Sequence, residues 1–321
     1  MYSRIVSTGH FVPERILTNR DLERMVNTSD EWIQSRTGIR ERHIVSDGET
    51  NLDLCEQAAR RALEAADLTP GDLDLILVAT TTPNQVFPNM GVLLQERLGG
   101  HGYACFSLEA ACTGFIYALS VANSMIQTGQ IRRALVVGGE TLSRITDYTD
   151  RSTCILFGDG AGAVILEASP DAGFLSVRIH ADGMHKDLLY FPSGISQGFD
   201  RLRDKRDFIQ MRGNEVFRVA VNTLCQIAQE TLDAAGVGPD ELSWLVPHQA
   251  NLRIIEAIAR KLALPMERVV LTIGEHGNTS TASIPMALDV AVRDGRIQRG
   301  QLLLFEAFGG GFTWGSALVR F

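Results

Sequence analysis

Three residues near the ends of predicted strands have side chains that could act together in catalysis. Cys112 lies between an apolar stretch and a helical one, and His248 follows the apolar run LSWLV. Asn278 lies between a predicted strand at 268–273 and another helical stretch. Unpaired backbone N–H groups and the positive end of a helix dipole favour a thiolate at a strand-to-helix junction. Pro247 ends the strand before His248 and directs that side chain towards the carboxyl end of the sheet, where open α/β sheets bind their ligands.

Each of these residues alone has an ordinary structural explanation. Cys112 fits a buried structural cysteine, His248 a packing histidine, and Asn278 a helix N-cap. Together they fit two kinds of chemistry. A cysteine hydrolase would use them as a nucleophile, a base and an orienting group. A Claisen-type condensing enzyme would instead use His248 and Asn278 to hold an enolate.

An internal repeat favours the second chemistry. Residues 63–73 resemble residues 232–242 at a constant offset of 169 positions, and a second match follows between 128–137 and 294–303. Each copy of the first match ends a helix, passes through a proline–glycine turn and enters an apolar strand. The repeat therefore predicts a duplicated α/β unit in which the thiol loop and the carboxamide loop are equivalent and approach a pseudo-twofold axis.

The order of the predicted elements indicates the fold class. Strands and helices alternate along the chain, which predicts α/β sheets that are buried and covered by helices. The two halves divide near residues 169–173, so we expect one unit over 1–172 that carries the cysteine and another over 173–321 that carries the histidine and asparagine. The polar insert 191–207 is typical of a surface loop.

Composition and charge exclude several classes of protein. The 321 residues include 30 basic and 38 acidic ones, and the net charge of −8 argues against a general nucleic-acid binder. No apolar run approaches the length of a membrane span, and the first residues lack the apolar core of a signal peptide. The five cysteines are widely spaced and include no C-x-x-C pair. We therefore expect a cytoplasmic protein without a disulfide framework or a metal site.

Two glycine-rich stretches, 157–163 and 308–315, lack the dinucleotide fingerprint. Neither contains G-x-G-x-x-G between a strand and a helix, and both continue into strand-like residues. A nicotinamide cofactor is therefore not expected. Glycines in these positions allow a close approach of backbones and present amide N–H groups to an oxyanion.

The chain resembles the β-ketoacyl-acyl carrier protein synthase III family, whose members initiate type II fatty acid synthesis. The matching motifs extend along the whole chain and lie at 37–43, 111–115, 157–163, 213–217, 246–251, 276–280 and 306–315. The resemblance implies the thiolase fold, which is a layered, duplicated α-β-α-β-α arrangement, and a homodimer.

The resemblance also implies a mechanism and its substrates. Cys112 would attack the thioester of a short acyl-CoA, with acetyl-CoA expected, and malonyl-acyl carrier protein would then lose CO₂ and receive the acyl group. His248 and Asn278 would stabilise the enolate as neutral donors. The N–H groups of Cys112 and Gly310 would form the oxyanion hole. No metal or redox cofactor is expected.

Three further sets of residues follow from the same resemblance. The CoA-binding set is Trp32, Arg36, Arg151, Gly213, Phe217 and Asn251. The acyl-pocket set is Leu142, Phe157, Leu189, Ile209 and Phe87, the last lent by the partner subunit. The set for docking the acidic carrier protein is Arg212, Arg218, Arg253, Arg260 and Lys261. Ser152 departs from the family pattern, which often has glycine at that position.

Three other functions stay open on the sequence alone. The first is a thiolase-fold acyltransferase or ketide synthase of secondary metabolism that uses only CoA substrates. The second is a thioester hydrolase, which would release free acid. The third is an acyl-CoA binding module without catalytic activity.

Overall fold

The computed structural model describes residues 1–198 and 207–321. The predicted surface loop at 191–207 is therefore described only in part, and its residues 199–206 lie outside the described residues. In the preceding part, a 3-10 turn at Ile195–Gln197 is followed by Gly198.

Thirteen strands occur within the described parts of the chain. They are β1 (Tyr2–Phe11), β2 (Ile16–Thr18), β3 (Glu41–His43), β4 (Leu75–Ala79), β5 (Ala104–Leu108), β6 (Arg133–Thr141), β7 (Asp159–Ser169), β8 (Phe174–Ala181), β9 (Leu189–Tyr190), β10 (Gln210–Met211), β11 (Trp244–Pro247), β12 (Leu302–Gly309) and β13 (Thr313–Arg320).

Ten α-helices occur in the same described parts. They are α1 (Asn19–Leu22), α2 (Asp30–Thr37), α3 (Asn51–Ala65), α4 (Met90–Leu98), α5 (Gly114–Gln127), α6 (Arg151–Cys154), α7 (Gly213–Ala235), α8 (Leu252–Lys261), α9 (Ile273–His276) and α10 (Ser283–Arg293).

Two large sheets form the framework. The first has the order β1-β7-β6-β4-β5, in which β4 runs parallel to β5 and β6, while β7 is antiparallel to β1 and β6. The second has the order β11-β12-β13-β8, with β11 parallel to β12 and β13 antiparallel to both of its neighbours. The chain passes from the first sheet to the second between Ser169 and Phe174. The division into halves 1–172 and 173–321 stays a prediction.

Helices α5 and α10 fill the space between the two sheets. Leu119 of α5 and Leu288 of α10 belong to one buried cluster with Val136 of the first sheet and Phe305 of the second, and all four are fully buried. Gly162 of β7 permits the close packing of α10, because a Cβ atom there would lie 2.6 Å from the backbone nitrogen of Met286. The glycine-rich stretch at 157–163 thus serves backbone approach, as the sequence predicts.

The outer faces of the sheets carry the remaining long helices. Helices α3 and α4 pack on the first sheet, where Leu94 and Val137 share a cluster, and α7 and α8 pack on the second, where Ile255 and Leu304 do. Adjacent residues of one strand point into different clusters, which explains the continuous apolar runs in the sequence. The predicted α-β-α-β-α layering is therefore confirmed.

One predicted strand does not form. The sequence pattern predicts a strand at 268–273, but the structure has only a single bridge between Leu245 and Val269, followed by α9. The backbone N–H groups of Thr272 and Ile273 donate to the side-chain oxygen of Gln249, at 2.9 and 3.1 Å. Because these two N–H groups already donate to a side chain, they are not available to donate to a neighbouring strand.

Among the described helices, none combines the length and the apolar character needed to cross a membrane.

Candidate active site

The nucleophile candidate lies on a strained turn between β5 and α5. Ala111 has φ of 45°, in the left-handed region that residues other than glycine rarely adopt, and a 3-10 turn at Ala111–Thr113 leads into the helix. Gly309, at the end of β12, lies against this turn, since a Cβ atom there would be 2.8 Å from the backbone nitrogen of Cys112. The turn thus places the amide of Cys112 beside the second sheet.

Cys112 reaches a cavity of about 1020 Å³. Of the predicted site residues, those lining the cavity are Cys112, Leu142, Phe157, Leu189, Ile209 and Gly310. Phe87 is 83% exposed and lies outside this lining, as do the almost fully buried His248 and Asn278, among the residues that the structure describes. The cavity therefore brings the nucleophile candidate together with four of the five predicted acyl-pocket residues.

Burial works against ionisation of the thiol. It raises the pKa of Cys112 to about 12, while hydrogen bonding with the Ser280 side chain lowers it and the charge of Glu140 raises it. The helix terminus favours a thiolate, as expected from the sequence, but desolvation favours the protonated thiol. Ionisation of the Cys112 thiol therefore requires a group that takes up its proton.

His248 is held in a defined orientation at the end of β11. Its backbone N–H donates to the carbonyl oxygen of Glu306 at 2.8 Å, and its Nδ1 lies 2.6 Å from the hydroxyl oxygen of Ser283. The backbone N–H of Gln249 already donates to that oxygen at 3.3 Å, so the hydroxyl proton is available for Nδ1. A hydrogen bond from this hydroxyl to Nδ1 corresponds to the tautomer with its proton on Nε2, and burial lowers the pKa of His248 to about 3, so the ring is neutral.

Asn278 and its neighbours connect the three candidates. The side-chain oxygen of Asn278 accepts the backbone N–H of Ser280 at 2.9 Å, which leaves the amide nitrogen as a donor. Ser280 interacts with Cys112, and Ser283 contacts His248. The segment 278–283 thus lies beside both the thiol and the imidazole.

The predicted CoA-binding residues form two pairs in the structure. The Arg151 guanidinium lies 4.8 Å from the centre of the Trp32 ring, and the Asn251 side-chain nitrogen donates to the Arg36 carbonyl oxygen at 3.1 Å. Because Trp32 and Arg151 contact each other, a planar base enters between them only if the exposed Arg151 side chain swings away. Gly213, at the start of α7, is exposed.

The predicted docking residues are exposed and lie on or next to helices α7 and α8. The guanidinium of Arg253 on α8 lies 5.4 Å from the Phe217 ring on α7, so these two helices are adjacent at this surface. The full set of exposed cations predicted for docking is Arg212, Arg218, Arg253, Arg260 and Lys261. Arg212 lies 3.9 Å from Glu215, a distance at the limit of an ion pair.

Comparisons with known proteins decide the family. The profile described as 3-oxoacyl-[acyl-carrier-protein (ACP)] synthase III matches residues 106–183, and the profile of its C-terminal part matches residues 232–321. A protein of Thioalkalivibrio sulfidiphilus named beta-ketoacyl-[acyl-carrier-protein] synthase III is 61% identical over 320 residues, covering 100% of this chain and 99% of the relative. The chain belongs to the β-ketoacyl-acyl carrier protein synthase III family. It is therefore a condensing enzyme of the acyltransferase class with the thiolase fold.

Solved structures of β-ketoacyl-acyl carrier protein synthase III relatives agree with the fold. The 3-oxoacyl-[acyl-carrier-protein] synthase III of Aquifex aeolicus superposes with a TM-score of 0.94 at 46% identity, covering 99% of this chain and 100% of that one. A priming β-ketosynthase from the R1128 polyketide pathway gives 0.95 at 36% identity, covering 99% and 96%. The fold is thus shared by an enzyme named as an acyl-carrier-protein synthase and by one named for a polyketide pathway.

Sequence reasoning missed three side chains close to Cys112 or His248. Glu140 is fully buried at the end of β6, Ser280 lies next to Cys112, and Ser283 contacts His248. One signal for Glu140 was available, because an acidic residue ends the otherwise apolar strand ALVVGGE. The two serines are common in helix-initiating segments, so their residue type alone gives no comparable signal.

Proposed function

We propose that this chain initiates fatty acid synthesis by joining a short acyl group to a malonyl unit on acyl carrier protein. The observation that carries the proposal is the location of Cys112 at the cavity, beside a segment that also orients the neutral His248. Membership of the synthase III family supports the choice of a carrier-bound extender.

In the first half-reaction, Cys112 attacks the carbonyl carbon of an acyl-CoA. The new C–S bond gives a tetrahedral oxyanion, and the C–S bond to CoA then breaks, leaving an acyl group on Cys112. The backbone N–H groups of Cys112 and Gly310 stabilise the oxyanion in this proposal. One such donor typically contributes about 10²–10³ in rate.

In the second half-reaction, the malonyl thioester loses CO₂ and the remaining electron pair forms an enolate. Nε2–H of His248 and the amide nitrogen of Asn278 donate hydrogen bonds to the enolate oxygen. A neutral imidazole suits this task, because a resident imidazolium could protonate the carbanion. The carbanion attacks the acyl group, Cys112 leaves as a thiolate, and the 3-ketoacyl product stays on the carrier. The thioesters and the side chains supply every group that reacts, so the proposal includes no metal or redox cofactor.

The acyl site is completed by a partner subunit in this proposal. Phe87 is 83% exposed and Val86 60%, although both are apolar. Strand β5 is at the edge of the first sheet, where a second copy can cover it. A homodimer would bury these residues, and Phe87 of each subunit would close the partner's cavity. Light scattering with Phe87→Arg as the test variant should give a dimer for wild type and a monomer for the variant.

The carrier protein docks on the basic residues of α8 in this proposal. Carrier proteins are acidic, and this chain has a net charge of −8, so attraction requires a local cluster. Arg253→Glu or Lys261→Glu should raise KM for malonyl-carrier and leave acyl-CoA loading unchanged. An equal change in both steps would reject the docking role.

Intact-mass measurement gives the main test of the proposed function. Incubation with a panel of acyl-CoA thioesters should add one acyl group to wild type and none to Cys112→Ala, and acetyl-CoA should load fastest. Malonyl-carrier should then release CO₂ and remove the acyl group. Acylation without malonate-dependent turnover, or release of free acid, would contradict a condensing function.

A second candidate rests on the similarity to the priming β-ketosynthase of a polyketide pathway. An acyltransferase or ketide synthase of that kind, using only CoA substrates, would turn over malonyl-CoA at least as fast as malonyl-carrier. Separate incubations with the two extenders therefore distinguish the candidates.

A further inference from the structure

The structure leaves the proton of Cys112 without an evident acceptor among the three predicted catalytic residues. Burial favours the protonated thiol, so acyl transfer requires that the proton leave the sulfur. His248 is a poor acceptor, because burial lowers its pKa to about 3 and its Nδ1 contacts Ser283. Asn278 has no basic group. Neither residue is therefore suited to take up the proton.

Glu140 is a buried carboxyl group with an organised set of donors. Three consecutive threonines donate to it: Thr81 through its backbone N–H at 3.1 Å and its hydroxyl at 3.0 Å, Thr82 through its hydroxyl at 2.6 Å, and Thr80 through its hydroxyl at 3.4 Å. The Ser280 hydroxyl donates to Oε1 of Glu140 at 3.3 Å. These bonds fix the carboxyl group at the end of β6.

Ser280 lies beside both this carboxyl group and Cys112. The Ser280 side chain lowers the pKa of the Cys112 thiol, both residues line the same cavity, and the two turns that carry them pack against each other. The φ of 50° at Ser280 places this residue in the left-handed region, which is sterically unfavourable for a residue with a Cβ atom. Backbone strain of this kind persists at functional sites where surrounding contacts maintain it.

We propose that Ser280 passes the proton of Cys112 to Glu140 during acyl transfer and returns it when the thiolate is released after condensation. In the resting enzyme, the S–H group donates to the Ser280 oxygen, and the Ser280 O–H donates to the Glu140 carboxylate. After transfer, Glu140 O–H donates to Ser280, and Ser280 O–H donates to the sulfur. This inference rests on the proposed function, because it requires acylation of Cys112.

The protons balance over the full cycle. The CoA thiolate that leaves takes one proton from solvent, while Glu140 keeps the proton of Cys112 as long as the acyl-enzyme exists. Condensation then releases Cys112 as a thiolate, and the stored proton returns to it through Ser280. One solvent proton is consumed per turnover, as required when a malonyl carboxylate leaves as CO₂ and CoA leaves as a thiol.

The groups that face Glu140 make it suited to accept and to return a proton near neutral pH. Burial raises the pKa of Glu140 to about 7, against the hydrogen bonds from Thr82, Thr81 and Ser280. Two thiols face it, Cys112 and Cys55 of α3, and its charge raises the pKa of each. A pKa near the working pH is the optimum for a group that must both gain and lose a proton.

The protonated carboxyl group also suits the second half-reaction. While the acyl-enzyme exists, Glu140 is neutral, so no buried negative charge opposes the enolate that forms beside Cys112. A carboxylate at this position would disfavour a second anion in the same low-dielectric site.

The experiment measures the single-turnover rate of acyl-enzyme formation from acetyl-CoA between pH 5.5 and 9.5, by rapid quench and intact mass. The test variants are Glu140→Gln, which keeps the shape but cannot accept the proton, and Ser280→Ala, which removes the relay but leaves the threonine bonds to Glu140. Thr82→Val removes a donor to the carboxylate. Cys55→Ala is the control, because the charge of Glu140 acts on Cys55, whose thiol donates to Asn51 and has no hydrogen bond with Ser280 among the described residues.

The rate of acyl-enzyme formation in wild type and in Cys55→Ala should rise with pH and level off near pH 7, which gives a bend in the pH profile. Both test variants should lose this bend and load about 100-fold more slowly at pH 7, at the lower end of the range typical of general-base catalysis. The difference should narrow above pH 9, where solvent can deprotonate the thiol. Thr82→Val should keep the bend but move it to higher pH, because the carboxylate loses a stabilising donor.

Two results would overturn the relay. If Glu140→Gln loads faster than wild type at every pH, the carboxylate acts only through its charge, whose removal lowers the pKa of Cys112. If Ser280→Ala keeps the bend and loads within twofold of wild type, no proton passes through the hydroxyl. Ser280→Ala decides the question even if Glu140→Gln does not fold. Failure of wild type itself to acylate would instead reject the proposed function.

Discussion

The two loops that approach each other at the active site have the same backbone and different side chains. Ala111 and Ser280 are separated by the same 169 positions as the sequence repeat, and both have positive φ, 45° and 50°. Each begins a 3-10 turn that leads into a central helix. The residue after Ala111 is Cys112, at the cavity, whereas the residue after Ser280 is Thr281, whose buried hydroxyl has no partner within the described parts of the chain.

This difference shows how the two copies of a duplicated fold can carry side chains for different steps of one reaction. In the proposed reaction, the first copy of the turn presents the nucleophile, and the second presents groups that act on the nucleophile and on the extender. Shared backbone strain positions both turns, while single side-chain differences decide their chemistry. Substitutions in the two turns and in the side chains around them test this division.

Replacing the nucleophile should have the largest effect. Cys112→Ala should abolish acyl-enzyme formation and reduce condensation by at least about 10³-fold, since no other thiol replaces it at the turn. The matched change in the second copy, Thr281→Val, should leave loading within a few-fold of wild type. CoA release and intact mass measure both. Equal losses in the two variants would show that the turns do not differ in role.

Replacing the donors of the second half should separate the two half-reactions. Asn278→Ala and His248→Ala should lower malonyl-carrier decarboxylation by about 10²–10³-fold and leave loading within a few-fold, because these donors act on the enolate. Release of labelled CO₂ from a preformed acyl-enzyme measures this step. Slower loading in both variants would assign the two residues to the nucleophile instead.

The pH dependence of the decarboxylation step sharpens the assignment of His248. Burial lowers its pKa to about 3, so the ring is neutral at every pH above that value and the donor is unchanged between pH 6 and 8. The rate of CO₂ release from the acyl-enzyme should therefore show no histidine titration in that range. A fall in rate from pH 7 to pH 6 in wild type that disappears in His248→Gln would contradict a neutral imidazole.

Removing the hydroxyl that orients His248 should have a smaller effect. Ser283→Ala leaves Nδ1 without its donor, so the proton is no longer held on Nε2, and condensation should fall about 10-fold without a change in loading. Ser283→Thr should restore most of the rate. A variant that loses stability but not the condensation rate would show that Ser283 has only a structural role.

Relieving the backbone strain should have the smallest effect. Glycine adopts positive φ without the steric cost, although it loses more conformational entropy on folding. Ala111→Gly should therefore change the free energy of unfolding by no more than about 1 kcal/mol, in the stabilising direction. The control Ala118→Gly, inside α5, should destabilise by about 1 kcal/mol. Urea unfolding of the two variants compares them, and equal destabilisation would mean that the strain at Ala111 costs little.

Local patterns were sufficient to predict much of the framework. The apolar runs predicted β4, β5 and β11, and the repeat predicted two halves that place equivalent loops together. The strand expected at 268–273 failed because the side chain of Gln249, distant in sequence, occupies its N–H groups. Pattern reasoning uses only neighbours along the chain, so it cannot detect a competing acceptor of this kind.

Periodicity and residue type along the chain were enough to predict the order of the elements, the duplication and the position of Cys112, His248 and Asn278 at strand ends. The pKa values of the thiol and of Glu140, in contrast, depend on the folded chain. A pKa depends on burial and on every donor and charge within a few ångströms, and here those groups come from β6, the threonines after β4 and the turn before α10. Such distant segments meet only when the chain is folded.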